Sequence, residues 1–391
     1  MPPRIAYLAD GKVHLKLGNE PPRVAESPFA ESVRARQASL ARRNAWKTQA
    51  EGARFLAAGL FGGDAETTGA GAQAAITGLS RGRVPGEVLY SIETAAVTGL
   101  FALDAGTAEE RRLFHANQQR VQFPAAQPGH DLIACSVRDD LRAHIGVMRA
   151  DGSALTEVTE GDSLDLAPSW VPGAPRRLVY QSAGVARDRS GRLVGIGPSV
   201  IHELDLERGE VRTLAESPAH DLCAPRVGAD GALYYIRRPW NARPRFAPLR
   251  ILLDLLLVPF RLLAAIFNWL NFFAVRYGGR PLVNRQGAQQ RQVDARQWLQ
   301  WGNLIGAAER ARESAGGDND VQTFVPQSWQ LVRQPASGGP EAVARGVCSF
   351  DLAANGVVYS TGAAVYHYEG GNDAPVRLCT GSRIQQVIAL P

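Results

Sequence analysis

The chain repeats itself. Cys223-Ala-Pro-Arg-Val-Gly-Ala-Asp-Gly231, followed by Ala-Leu-Tyr-Tyr-Ile, falls 125 residues later on Cys348-Ser-Phe-Asp-Leu-Ala-Ala-Asn-Gly356, followed by Val-Val-Tyr-Ser. Each copy is an apolar run, an Asp-Gly or Asn-Gly turn and a second alternating run, which is the signature of a β-hairpin. Further copies are Leu166-Ala-Pro-Ser-Trp-Val-Pro-Gly173 leading into 177–180, and Phe123-Pro-Ala-Ala-Gln-Pro-Gly129 leading into 132–135. An earlier one runs through 74–79, 87–92, 97–103 and 111–114. Third and fourth alternating runs follow most hairpins, among them 145–148 with 155–158, and 201–206 with 211–214. Pro124 and Pro168 lie 44 residues apart, inside the roughly 40–45 residues of a four-stranded propeller blade.

The two ends complete the pattern. Residues 4–8, 12–17 and 22–26 supply three strands around Asp10-Gly11 with no first strand before them, and 384–389 is a spare strand. A ring with an open sheet edge leaves backbone groups unpaired, so the spare strand is expected to complete the first blade. The expected fold is an all-β propeller of six four-stranded blades, closed by N- and C-terminal strands in one blade. Residues 27–72 form an irregular inter-blade segment with room for a seventh blade.

At Pro168-Ser-Trp-Val-Pro-Gly173, Leu178-Val-Tyr180 and Ile201-His-Glu-Leu-Asp205 the sequence resembles the TolB-type (WD-repeat-like) bacterial β-propeller repeat. The resemblance is clearest over 120–236 and 347–379, and it departs at Gly173, where the turn Asp is missing. It implies a propeller that binds other macromolecules, and the periplasmic role of TolB is not carried over.

Composition sets the class. With 45% hydrophobic and 21% charged residues the chain can bury a core, which excludes a disordered tail. Cys135, Cys223, Cys348 and Cys379 form no Cys-x-x-Cys pair, which excludes a disulfide scaffold and a zinc ribbon. They read as buried fillers of a reduced protein. The start shows no basic region followed by an apolar stretch, so a cytoplasmic protein is expected.

Few residues look catalytic. Gly78-Leu-Ser-Arg-Gly82 matches a nucleophile elbow, but that motif needs a helix after the serine, and Pro85-Gly86 and a strand follow instead. His14, His144, His202 and His367 fall on expected third strands, where other copies carry Phe101 and Trp329. They read as fillers of an aromatic-sized packing slot between blades. Asp131, Asp165 and Asp221 recur before first strands and read as holders of loop backbone rather than calcium ligands. No phosphate loop or dinucleotide fingerprint stands in the needed context. The basic run Arg34, Arg36, Arg42, Arg43 and Lys47 reads as a solvated helix face, with only Trp46 interleaved, so no specific nucleic acid partner is expected. No cofactor or metal is expected.

One segment breaks the repeat, between a second strand at 232–237 and a third near 328–333. Residues 237–296 hold eleven Arg against Asp254 and Asp294, a charge of +9; the whole chain carries +5, so the rest carries −4. Within the insertion, assigned to 238–325, residues 248–275 are the most apolar of the protein. Their longest uncharged run is the 14 residues Leu262–Val275, short of the roughly 18–20 needed to span a bilayer. At about 100° per residue, Arg250, Asp254, Arg261 and Asn268 share one narrow stripe. The other side presents Leu252, Leu253, Leu256, Phe260, Leu263, Ile266, Phe267 and Leu270, with Arg243, Arg245, Arg276 and Arg280 flanking it. Such a helix lies in a membrane interface or packs on a partner, a second subunit or the propeller itself. A second amphipathic helix is expected through Val293, Trp301, Leu304, Ile305 and Ala308. The function expected is a non-catalytic propeller scaffold for protein–protein interaction, held at an anionic membrane surface on the cytoplasmic side. The alternative is a propeller-based hydrolase or lyase with a small-molecule site in its central channel.

Overall fold

The structure, a computed structural model, describes residues 2–25, 27–33, 35, 39, 75–94, 97–117, 119–139, 142–189, 193–240, 299–300, 303–304, 324–371 and 374–391. Most of them lie in β-strands. One compact unit comprises residues 1–240 and 305–391, and a second comprises 241–304.

The first unit is a succession of antiparallel sheets whose neighbouring strands follow one another along the chain, except in sheet 1, where the last strand pairs with the first. Sheet 1 joins Ile384–Leu390 to Arg4–Ala9, Lys12–Lys16 and Arg23–Ala25. Sheet 2 holds Ala75–Arg81, Glu87–Glu93, Thr98–Asp104 and Glu110–Ala116. Sheet 3 holds Arg120–Ala126, Leu132–Asp139, Arg142–Arg149 and the short Thr156–Glu157. Sheet 4 holds Ser163–Trp170, Arg177–Arg187, Val200–Asp205 and Glu210–Ala215, and Leu193–Ile196 pairs with the far end of its second strand. A single parallel contact, Ala143 opposite Leu164, fuses sheets 3 and 4. Sheet 5 is His220–Val227, Leu233–Pro239, Gln330–Gln334 and Glu341–Arg345, and sheet 6 is Ser349–Ala353, Gly356–Ser360, Ala364–Tyr368 and Val376–Thr380.

The expected pairing of the two chain ends is present. Arg4 lies opposite Leu390 and Tyr7 opposite Val387, antiparallel, with an irregularity only at Leu8/Ala9. The core explains why these strands are apolar at nearly every position rather than at alternate ones. Along Arg4–Ala9, Ala6 and Leu8 pack with Leu79, Tyr90 and Phe101 of sheet 2, while Ile5, Tyr7 and Ala9 pack with Val358 and Val365 of sheet 6. Successive side chains point to opposite faces of a strand, and here both faces are covered by a neighbouring sheet. The same holds for Leu132–Asp139: Ile133, Cys135 and Val137 face sheet 2, and Ala134 faces Trp170 and Tyr180 of sheet 4. Among the described residues sheet 1 packs on sheets 2 and 6, sheet 3 on sheets 2 and 4, and sheet 4 on sheet 5.

The Asn355-Gly356 turn expected from the repeat is a hairpin turn. Gly356 has φ +105° and its missing Cβ would collide with the Tyr368 carbonyl, so only glycine fits. Of the irregular segment, residues 28–33 are helical. Ser27 Oγ accepts from Ala30 N at 3.1 Å, a side-chain N-cap, and Phe29 and Val33 pack on the core between sheets 1 and 2.

In the second unit the described residues contradict the second amphipathic helix at one point. Leu299–Gln300 and Asn303–Leu304 pair antiparallel, with Leu299 opposite Leu304. Gly302 stands between the strands in the sequence, and an interior glycine costs a helix about 1 kcal/mol while favouring a two-residue hairpin loop.

Candidate functional site

The first strands of the sheets form an inner wall, and a distortion recurs in three of them. Phe123, Ala167 and Ala224 have φ of +48°, +54° and +54°, and each precedes a proline. At each place two residues of the first strand face one of the second: 123–124 opposite 135, 167–168 opposite 180, and 224–225 opposite 235. Proline has no N–H for the ladder, and the bulge accommodates it. The prolines that mark the repeat are therefore bulge residues of inner strands.

Polar side chains tie these strands across the sheet boundaries. Gln386 of sheet 1 accepts from Leu79 N and donates to Leu79 O of sheet 2, both at 2.8 Å. Trp170 Nε1 of sheet 4 donates to Ala125 O of sheet 3 at 2.8 Å. Gln181 of sheet 4 accepts from Ala224 N of sheet 5 at 2.8 Å, which satisfies the amide of the bulged residue. Asp351 of sheet 6, 5% exposed, accepts at Oδ2 from Arg81 Nε of sheet 2 at 2.9 Å and from Ala389 N of sheet 1 at 3.0 Å. Arg81 Nη2 also donates to Leu352 O, and Arg226 Nε of sheet 5 stands 3.8 Å from Asp351 Oδ1. Side chains from the first strands of sheets 5, 6 and 2 thus meet beside a backbone amide of sheet 1, which places these strands on the inner side of the curve.

Deeper in sheet 5, Arg238 and Asp221 form an ion pair at 3.2 Å with side chains 2% and 1% exposed. Asp221 accepts from Ser199 N of the preceding sheet-4 loop at 2.8 Å, and the Arg238 guanidinium lies 4.9 Å over the Trp329 ring. Asp165 is buried and accepts from two hydroxyls, Thr159 at 2.6 Å and Ser182 at 2.7 Å.

The proposed membrane or partner contacts, Leu252, Leu253, Leu256, Phe260, Leu263, Ile266, Phe267, Leu270, Arg243, Arg245, Arg276 and Arg280, lie outside the described residues. So do the glycine-rich stretch 59–71 and the basic run Arg34–Lys47, apart from Ala35 and Ser39. Ser80 lies inside the strand Ala75–Arg81, buried, its Oγ donating to Arg81 O at 3.0 Å, so the elbow geometry is not formed. Asp131 pairs with Arg83 on the surface. Cys135, Cys223 and Cys348 are buried, and burial pushes each thiol up to about 12.

The aromatic slot exists, with two corrections. Cross-strand neighbours Tyr7 and His14, Tyr90 and Phe101, Tyr180 and His202, and Tyr359 and Tyr366 make ring contacts at 4.8, 5.5, 5.7 and 5.4 Å. His144 holds the same position opposite Val137. His367 does not: Tyr366 fills the slot of sheet 6, and His367 points the other way and bonds Asn355 O at 2.8 Å. Trp329 precedes its strand and carries Arg238 instead. A third strand offers two adjacent aromatic positions on opposite faces, and sequence alone does not say which is inside.

These histidines set an acid response. Burial lowers the pKa of His14 and of His202. For His144 burial also pulls down, but the Gly161 carbonyl and Glu157 outweigh it and raise the pKa. A lowered histidine protonates more readily unfolded, so its contribution is lost as pH falls below about 6.5; the raised His144 contributes below that value and loses it as pH rises. Phe fits the slot at position 101, so His14→Phe/His202→Phe is expected to fold. Melting temperatures between about pH 7.5 and pH 5.5 should fall for the wild type, and fall less or rise for the double variant. An unchanged slope would contradict the assignment.

No known family profile and no curated protein matches the chain. Solved structures do. TolB from Acinetobacter baumannii is similar over 100% of this chain and 67% of its own, with 11% identity and a TM-score of 0.52. A chain of the nidogen/laminin complex is similar over 100% of this chain and 99% of its own, with 8% identity and the same TM-score of 0.52. An oligogalacturonate lyase in complex with manganese overlaps at a TM-score of only 0.36, too little to argue from. No helix among the described residues is long and apolar enough to cross a membrane. Four-stranded antiparallel sheets that pack on one another, with the two chain ends paired in one of them, make this a β-propeller, the fold it shares with both of these structures.

Proposed function

We propose that the chain is a non-catalytic scaffold, a propeller of six blades that docks other proteins and is held at an anionic membrane surface by residues 248–275. The observation that carries the reading is the use made of the inner wall. Asp351, Gln386 and Gln181 hold backbone amides of neighbouring sheets, which leaves these groups bracing the ring rather than poised on a reacting atom. The likeness to a propeller solved in complex with laminin supports protein docking by analogy of fold alone. An enzyme reading comes second. Ser217 Oγ and His220 Nδ1 are 3.0 Å apart, but they share one turn, and among the described residues no carboxylate orients the imidazole as a triad requires.

The test is a complex rebuilt from separately purified components at defined stoichiometry. Steady turnover of an ester, amide or glycoside, or labelling of Ser217 by a fluorophosphonate, would overturn the scaffold reading. A cytoplasmic setting is the further part of the proposal; it rests on the four free cysteines, and cell fractionation tests it.

The membrane part has its own check. Burying a Leu or Phe side chain gains about 1.5–3 kcal/mol, and anionic lipid adds about 1 kcal/mol per nearby Arg. The full chain is therefore expected to sediment with anionic liposomes, less so at high salt, since exposed charges are screened within about 8 Å at physiological ionic strength. Replacing Leu256, Phe260, Leu263 and Phe267 by Ser should abolish sedimentation and leave the melting temperature in place. Should those changes unfold a protein that ignores liposomes, the segment belongs to a core or an oligomer contact.

A further inference from the structure

Arg226 stands on the inner wall with most of its hydrogen-bonding capacity unused. Its side chain is 20% exposed. Nη1 donates to the neighbouring Pro225 O at 3.0 Å, and Nε is 3.8 Å from Asp351 Oδ1, beyond hydrogen-bond distance. A guanidinium carries five N–H donors in a rigid fork, so among the described residues one of the five is taken. Asp351 is shared: its Oδ2 accepts from Arg81 and from Ala389 N, and its Oδ1 is the oxygen nearest Arg226.

The charges do not balance. Arg81 and Arg226 converge on the single carboxylate of Asp351, which leaves a surplus of one positive charge. Burial lowers the pKa of Arg226, Asp351 raises it, and Arg81 lowers it further; no other charged group among the described residues acts on it. A cation withdrawn from water without full compensation is costly, and a bound anion would relieve that cost.

We propose that Arg226 and Arg81 form an anion site on the propeller's inner wall that takes a carboxylate, held in the fork of Arg226. A carboxylate matches the planar fork in a bidentate pair, and its single charge cancels the surplus. A phosphate dianion would overshoot it and meet Asp351 at close range. The carboxylate is that of a small organic acid or of a peptide with a free C-terminus. The site stands or falls independently of protein docking by the ring.

The test uses the full chain at fixed ionic strength. Sodium acetate should raise the melting temperature saturably above a sodium chloride control, as mass action requires of a ligand that binds the folded state. The midpoint should weaken by about tenfold or more in Arg226→Met, the scale of a lost charge-assisted hydrogen bond, and also weaken in Arg226→Lys, which keeps the charge but loses the fork. Arg226→Met leaves Asp351 with Arg81 and Ala389 N and is expected to fold. As a check needing no variant, the guanidinium nitrogen resonances of Arg226 should shift with the same midpoint. A hexapeptide with a free C-terminus binding more tightly than acetate, and its amidated form not binding, would assign the source to a protein tail; acetate alone would assign it to a free acid. No saturable effect beyond chloride, an unchanged midpoint in Arg226→Met, or tighter binding of inorganic phosphate would overturn the proposal.

Discussion

Deleting residues 383–391 is expected to unfold the whole ring rather than trim one edge. Ile384, Val387, Ile388 and Leu390 are each at most 6% exposed, and they fill two interfaces, with sheet 2 and with sheet 6. At about 1.5–3 kcal/mol for each large side chain, their loss removes on the order of 6–12 kcal/mol, comparable with the roughly 5–15 kcal/mol that holds a native domain. The deletion also strips the Arg4–Ala9 strand of one of its two partners and removes the Gln386 bridge to Leu79. Near-ultraviolet circular dichroism and a thermal scan should show no cooperative transition. A truncated protein melting at the wild-type temperature would mean that the terminal strand does not close the ring.

Breaking the buried ion pair of sheet 5 should be the most damaging single substitution. Arg238→Ala removes the guanidinium that stands 3.2 Å from Asp221 in a place 1% exposed, and strips the Trp329 ring of the cation above it. Removing one partner of such a pair costs about 3–5 kcal/mol. Replacing both, as Asp221→Asn with Arg238→Met, removes both charges and should cost much less than the sum of the single changes. Denaturant unfolding of the four proteins gives the coupling directly. Additive losses would show that the two side chains do not depend on each other.

Sheets and turns were legible in the sequence because their signals are local. Asp-Gly and Asn-Gly turns and the approximate strand spans from 74 to 114 required only short-range pattern. The closure was legible because a missing strand at one end matched a spare one at the other. The wall contacts were not legible, since they join residues such as Arg81 and Asp351 that are far apart in the chain. One trace was present: sliding the repeat by 125 residues lays Arg226 on Asp351, opposite charges at one repeat position, which the structure brings to 3.8 Å. Nor did the repeated prolines announce bulges, because a proline in a strand is compatible with an edge, a first residue or a bulge, and only the register decides.

The central claim is that side chains on the inner wall bind the sheets into one closed, cooperative ring. Native-state hydrogen exchange tests it most directly, at the amides of Leu79, Ala389, Ala224 and Ser199, each held by a side chain of another sheet or strand. Buried units that open together exchange with one free energy. The account predicts that all four exchange only through global unfolding, with the protection found in the central strands of sheets 2 and 6. Independent opening of sheet 1, with Ala389 and the Arg4–Ala9 amides exchanging far faster than those of sheet 6, would contradict it.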